Sequence, residues 1–183
     1  MKALLAAAAT LALGLLATPA SAEVVSRTED GFILRYRMSL DTTPQDIIGA
    51  MSRVGEWWDS DHTYSGDAGN ISVDLTPGGC WCEAMPDAEP FRHGTTREVA
   101  AGHLLFDAPF GPLNGKATKA DLRVEWPAAS RGHEITWTMT IEGPGLGALA
   151  GPVDGVMGAG FGRFVRFLDT GEPSAGASAS DGE

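Results

Sequence analysis

A single stretch near the end of the chain limits what everything before it can build. In PVDGVMGAGFGRFVRFLDTG, from Pro152 to Gly171, the residues Val153, Val156, Met157, Gly160, Phe161, Phe164, Val165 and Leu168 recur at helical spacing. This predicts one helix of about four turns with one apolar stripe, and such a stripe has to be covered by the rest of the chain. Pro152 suits the N-terminal end, and Arg163 and Arg166 sit off the stripe near the C-terminal end, where the helix dipole favours cations. The glycines at 155, 158, 160 and 162 each weaken a helix by about 1 kcal/mol relative to Ala. Either the backbone lies close against its neighbour or the missing side chains leave room for a ligand. Close packing is the simpler expectation.

The surface for that helix is written in alternating segments. Phe32, Leu34, Tyr36, Met38 and Leu40 alternate with more polar positions, as in a half-buried strand. Thr43-Pro44-Gln45-Asp46 supplies an N-cap, a proline at the first helical position and an acid at the third, followed by Ile47, Ile48, Met51 and Val54 at helical spacing. A second short helix is predicted to carry Glu56-Trp57-Trp58. Asn70 to Leu75 then reads as a strand, turns at Thr76-Pro77-Gly78-Gly79 and returns through Cys80 to Met85. Thr95–Ala100 and Gly102–Phe106 are weaker strand patterns. Leu122, Val124 and Trp126, then Ile135, Trp137, Met139 and Ile141, are clear ones. Alternation of this kind means one wet and one covered face. The fold class is therefore α+β, an antiparallel sheet covered on one face by a long C-terminal helix, with two short helices after the first strand.

Composition and the two ends bound the function. Met1 and Lys2 precede an apolar run from Ala3 to Ala17 and an A-x-A site ending at Ala22, the pattern of a secretory signal peptide over residues 1–22. The expected location is outside the cytoplasm, in a periplasm or secreted, with no membrane span after cleavage. Residues 23–169 form one domain, and 170–183, small, polar and acidic, a disordered tail. The net charge of −11 with His neutral becomes one unit more negative without Lys2. So acidic a chain repels phosphate backbones, which excludes nucleic acid as a partner class.

Motif chemistry excludes more. Gly145-Leu146-Gly147-Ala148-Leu149-Ala150 matches a dinucleotide fingerprint in letters only, because no parallel strand with a terminal acid follows it. These glycines read instead as a flexible connection into the long helix. The sequence holds no Walker motif and no G-x-S-x-G elbow. No cofactor and no metal are expected.

The element order resembles the helix-grip arrangement of the START-like, or SRPBCC, superfamily. EWWDSDHTYSGD (Glu56 to Asp67) falls where the branch of Hsp90-ATPase-activator homologues and polyketide cyclases carries a Trp-rich helix end. PGGCWCE (Pro77 to Glu83) falls on its Gly-Gly-x-aromatic hairpin, and PVDGVMGAGFGRFVRFL on its final helix. HTYSGDAGNISVDLTPGGCWCE with VDGV looks like an exported subgroup. The resemblance implies a cavity between sheet and helix that binds lipids, sterols, polyketides or other apolar molecules. A minority of members catalyse cyclisation or dehydration. The co-chaperone role of one branch does not carry over to an exported chain.

The leading expectation is therefore a small apolar or amphipathic ligand held without turnover, with Trp57, Trp58, Tyr64, Trp81, Glu83, Phe106, Phe110 and Phe161 as ligand-binding candidates. Trp126 and Trp137, on alternating strands, are expected in the core. An enzyme on the same scaffold, a cyclase, dehydratase or hydrolase, is the alternative. His62, Glu83 and His93, with Asp59 and Asp61 behind them, are its candidate catalytic groups, as an imidazole and a carboxylate converging in an apolar cavity can act as base and acid or as metal ligands. A protein interaction module is the third reading, with no partner indicated.

Cys80 and Cys82, the only cysteines, leave an open choice between disulfide, metal clamp, redox pair and small core residues. On a regular strand two such side chains lie about 6.5–7 Å apart, whereas a disulfide brings Cβ atoms to about 3.5–4.5 Å. A two-residue turn at Pro77-Gly78 would set Leu75 opposite Cys80 and Val73 opposite Cys82, turning the thiols inward. The resemblance implies the reverse, with Trp81 and Glu83 facing the cavity. A bulge by the Pro-Gly-Gly loop would shift the register by one and bring the cysteines closer. We take that as the expectation.

Overall fold

The computed structural model of the chain describes residues 21–129 and 132–174. Residues 1–20 of the predicted leader and 175–183 of the predicted tail lie outside the described residues. Eight strands form one sheet: β1 (Ser21–Arg27), β2 (Gly31–Leu40), β3 (Ile71–Val73), β4 (Cys80–Met85), β5 (Ala88–Ala100), β6 (His103–Asp107), β7 (Lys119–Glu125) and β8 (His133–Glu142). Their spatial order is β1-β2-β8-β7-β6-β5-β4-β3, and every pairing is antiparallel. After β2 the chain crosses to the far edge of the sheet through two short helices, α1 (Pro44–Ser52) and α2 (Val54–Trp57). It then meanders back strand by strand until β8 closes on β2. The long helix α3 (Ala150–Thr170) packs against β2 and α1.

Local chemistry explains most of these boundaries. Thr43 caps α1: its Oγ1 accepts from the Asp46 N–H at 3.2 Å, and the Asp46 carboxylate accepts from the Thr43 N–H at 3.3 Å. This reciprocal box, with Pro44 at the first helical position, starts the helix where the sequence places it. The Trp57 indole N–H donates to the Ala50 carbonyl at 2.7 Å and locks α2 against α1. Helix α3 ends at Gly171, whose φ of 78° lets its N–H reach the Phe167 carbonyl at 2.9 Å. Tyr36 on β2 donates its hydroxyl to Asp154 Oδ1 at 2.7 Å and ties the start of α3 to the sheet. Burial, then the bond to Asp154 and its charge, hold the Tyr36 phenol well above its ordinary pKa.

The structure corrects the sequence reading at four points and shows the shifted hairpin register that was expected. Strand β1 was not expected; its first two residues, Ser21 and Ala22, are also the last two of the predicted leader, and the two helices follow the second strand. AEVVSR gives no clean alternation because β1 is an edge strand with Val24 and Val25 both exposed. Strand β3 is cut to three residues, since Asp74 turns away: its carboxylate accepts from the Thr76 N–H and hydroxyl at 2.9 and 2.8 Å.

The hairpin register also differs from that of a two-residue turn. Val73 pairs with Trp81 and Ile71 with Glu83, so Leu75 does not face Cys80. The longer loop depends on Gly79, where a Cβ would lie 2.3 Å from the Asp74 carbonyl oxygen. Strand β5 begins at Ala88 rather than Thr95 and therefore includes His93. Last, the connection into α3 is pinned rather than flexible. Leu146–Leu149 form a 3-10 turn, and the Gly147 N–H donates to the Glu29 carbonyl at 2.9 Å.

Candidate functional site

One irregularity in the sheet creates the site. Between β4 and β5 the pairing runs Cys80 with Thr95 and Trp81 with Gly94, then Cys82 with Arg92 and Glu83 with Phe91. His93 is thus the extra residue of a β-bulge, and it and Gly94 are both buried although adjacent in sequence. The bulge re-aims His93 to the concave face, where alternation alone would send only one of the two. Gly94 is required there, because a Cβ would come within 2.6 Å of the Asp107 carbonyl oxygen.

On the facing strand, Trp81 and Glu83 point inward and are 3% and 0% exposed. This is the orientation the resemblance implied. Cys80 and Cys82 lie on the other face, half-buried and joined in a disulfide, their Cα atoms 5.4 Å apart. That separation is shorter than the roughly 6.6 Å of two residues along a regular strand and falls inside the range a disulfide accepts. The β4–β5 register shift lies within the same segment.

Glu83 and His93 form a pair. His93 Nε2 and Glu83 Oε2 are 2.8 Å apart, and the other carboxylate oxygen accepts a short bond from the Ser65 N–H. Burial pushes the Glu83 carboxyl up, but hydrogen bonds from Ser65, His93 and the Tyr64 backbone outweigh it and hold the group below its ordinary pKa. An ionised Glu83 only accepts, so the proton between the two sits on His93 Nε2. The ring is gripped further by aromatics. Tyr64 stacks on it with centroids 5.8 Å apart and planes 14° apart, and Phe91 meets it edge-on at 4.8 Å.

The His93 ring forms part of the wall of a cavity of about 320 Å³. The sheet contributes Ile71, Trp81 and His93; helix α3 contributes Val153, Val156 and Met157; Phe110 and Pro112 come from the β6–β7 loop, and Trp58, His62 and Tyr64 from the segment after α2. Arg163 fixes that segment by donating to the carbonyls of Trp57 and Trp58 at 2.8 and 3.2 Å. Trp58 then lies so close to α3 that a Cβ at Gly160 would be 2.5 Å from its ring. Close packing therefore explains Gly160, and Gly158 lies against Tyr36, whereas Gly155 and Gly162 face open space.

Of the sequence-based ligand candidates, Trp58, Tyr64, Trp81 and Phe110 lie on the cavity wall, and Glu83 sits directly behind His93. Trp57, Phe106 and Phe161 do not line it. They pack in the core, Trp57 against Trp137 and Phe164, Phe106 against Trp81, and Phe161 against Tyr36. Trp126 and Trp137 are also core residues. Of the catalytic candidates, Glu83 and His93 meet, while His62 lies at the exposed rim with Nδ1 4.0 Å from Asp59 Oδ2. Asp59 caps a 3-10 turn by accepting from the Asp61 N–H, and Asp61 is exposed.

Sequence reasoning missed Ser65, Phe91 and the helix residues Val156 and Met157 as parts of the site. The glycine inside a strand pattern at 94 was the available signal for the bulge. Among the described residues no cluster of three or more His, Cys, Asp or Glu could hold a metal ion. No helix among them is long and apolar enough to cross a membrane.

The sequence matches no family model and no curated protein. Solved structures do match. CalU16 from Micromonospora echinospora is similar over 82% of this chain and 84% of its own, at 13% identity and a TM-score of 0.51. A protein from Arthrobacter aurescens is similar over 85% and 98%, at 16% identity and a TM-score of 0.54. The di-domain ARO/CYC StfQ from the steffimycin biosynthetic pathway is similar over 78% of this chain and 51% of its own, at 9% identity and a TM-score of 0.51. An antiparallel sheet curved around a long C-terminal helix, the helix-grip fold, is common to them and to this chain.

Proposed function

We propose that this is an exported START-like protein that holds one small apolar or amphipathic molecule in the cavity between sheet and C-terminal helix. The observation that carries this reading is the cavity wall, built from Trp58, Trp81, Phe110, Val153, Val156 and Met157. Burying a ligand against such a wall removes apolar surface from water at about 25 cal/mol per Å². The 320 Å³ volume is near the lower end of the roughly 300–1,000 Å³ of small-molecule sites, which favours a compact ligand. Native mass spectrometry of the protein purified from its own host tests the proposal. A stoichiometric mass increment from a small molecule is expected, and a bare mass under conditions that preserve non-covalent complexes counts against it.

Export is supported by the N-terminal pattern and by the Cys80–Cys82 disulfide, a bond that persists in oxidising compartments. The intact mass of the periplasmic or secreted protein should correspond to a chain starting at Glu23. A chain starting at Met1 and confined to the cytoplasm would refute it.

A second reading, catalysis on the same scaffold, rests on the Glu83–His93 pair. A buried carboxylate that orients an imidazole is the arrangement of a general base. Here His93 would take a proton from a bound ligand, with Glu83 stabilising the imidazolium. A conversion abolished by His93→Ala with the fold retained would establish it.

A further inference from the structure

The polar atoms of the cavity wall select among apolar ligands. In the tautomer that donates its Nε2 proton to Glu83, His93 presents the lone pair of Nδ1. That atom has no hydrogen-bond partner among the described residues, yet it is not among the occluded polar atoms. The ring itself lines the cavity. The indole Nε1 of Trp81, another residue of the wall, is a donor that is likewise neither paired nor occluded. Trp81 is paired across the sheet with Gly94, the residue next to His93, and both rings lie beside Phe110. One acceptor and one donor thus belong to neighbouring rings of the same apolar wall.

Among the described residues the lining includes no Lys and no Arg. Its histidines each have a carboxylate beside them, Asp59 at His62 and Glu83 at His93. A ligand carboxylate would enter with no free cation to meet it and with the Glu83 charge directly behind the imidazole. Desolvating such an anion without a partner is expensive. A hydroxyl meets the requirement, because it can donate to His93 Nδ1 and can accept from Trp81 Nε1.

We infer that the cavity is built for a neutral apolar molecule with a single hydroxyl group, a phenol or alcohol, and discriminates against the corresponding carboxylate. The inference rests on the ligand-binding reading above and adds the chemistry of the ligand's polar end.

Three probes of one size test it by isothermal titration calorimetry on the protein at neutral pH: naphthalene, 2-naphthol and 2-naphthoate. The hydroxyl should bind about tenfold more tightly than the bare ring, and the carboxylate more weakly than either. His93→Phe should leave naphthalene binding in place and erase the naphthol advantage. Because that substitution leaves Glu83 without its partner, His93→Phe with Glu83→Gln serves as a second variant free of the buried charge, with the same expectation. Equal binding of naphthalene and naphthol, or preference for the carboxylate, overturns the inference and leaves the cavity reading standing. Binding of none of the three overturns both.

Discussion

Glu83 is the only carboxylate among the described residues that is fully buried, and its partners decide what it does to the protein. Its pKa in the folded state lies below the ordinary value of 4.5, because Ser65, His93 and Tyr64 outweigh the burial that opposes ionisation. A depressed carboxyl contributes stability above its unfolded-state pKa, and the contribution disappears as pH falls through the folded-state value. Urea midpoints measured at and below about pH 4.5 should therefore fall more steeply for the wild type than for Glu83→Gln. Parallel curves would show that the carboxylate carries no such linkage. Glu83→Ala, which leaves the His93 ring and the Ser65 N–H without their acceptor, should lower stability by about 1–3 kcal/mol. The inward direction of Trp81 and Glu83 was legible only through the resemblance. Strand alternation alone left both registers open, and the loop length that decides between them depends on the Asp74–Thr76 turn.

At the level of elements, the glycines of α3 separate into two kinds with opposite expectations. At Gly160 a Cβ would sit 2.5 Å from the Trp58 ring, so Gly160→Ala has to displace the indole that closes one side of the cavity. At Gly155 and Gly162 a Cβ meets open space, and alanine should stabilise by about 0.5–1 kcal/mol through helix propensity. Thermal unfolding should rank Gly155→Ala above wild type and Gly160→Ala below it; a stabilised Gly160→Ala would refute the packing of Trp58 on the helix. In β4, thiol titration of the denatured, unreduced protein should find no free cysteine, and two free thiols would remove the disulfide from the account. The helix and the central strands were legible because their periods are long and regular. The bulge at His93 was not, because one extra residue leaves the alternation on either side intact and merely changes its phase.

Across the whole molecule, the sequence foretold the order of elements better than the boundary between core and cavity. Trp57, Phe106 and Phe161 read as cavity residues, yet they fill the space between sheet and helix and leave the opening to Trp58, Trp81, Phe110, Val156 and Met157. Both groups are aromatic or aliphatic and alternate in the same way, and only the three-dimensional packing tells a filled interior from an open one. Whether this opening takes up an apolar molecule is tested by titration with the neutral fluorophore N-phenyl-1-naphthylamine. Saturable one-site binding with quenching of tryptophan fluorescence is expected, as is its loss in Val156→Trp, whose added indole fills the cavity. Absence of saturable binding to the wild type, or unchanged binding in a folded Val156→Trp variant, would contradict it.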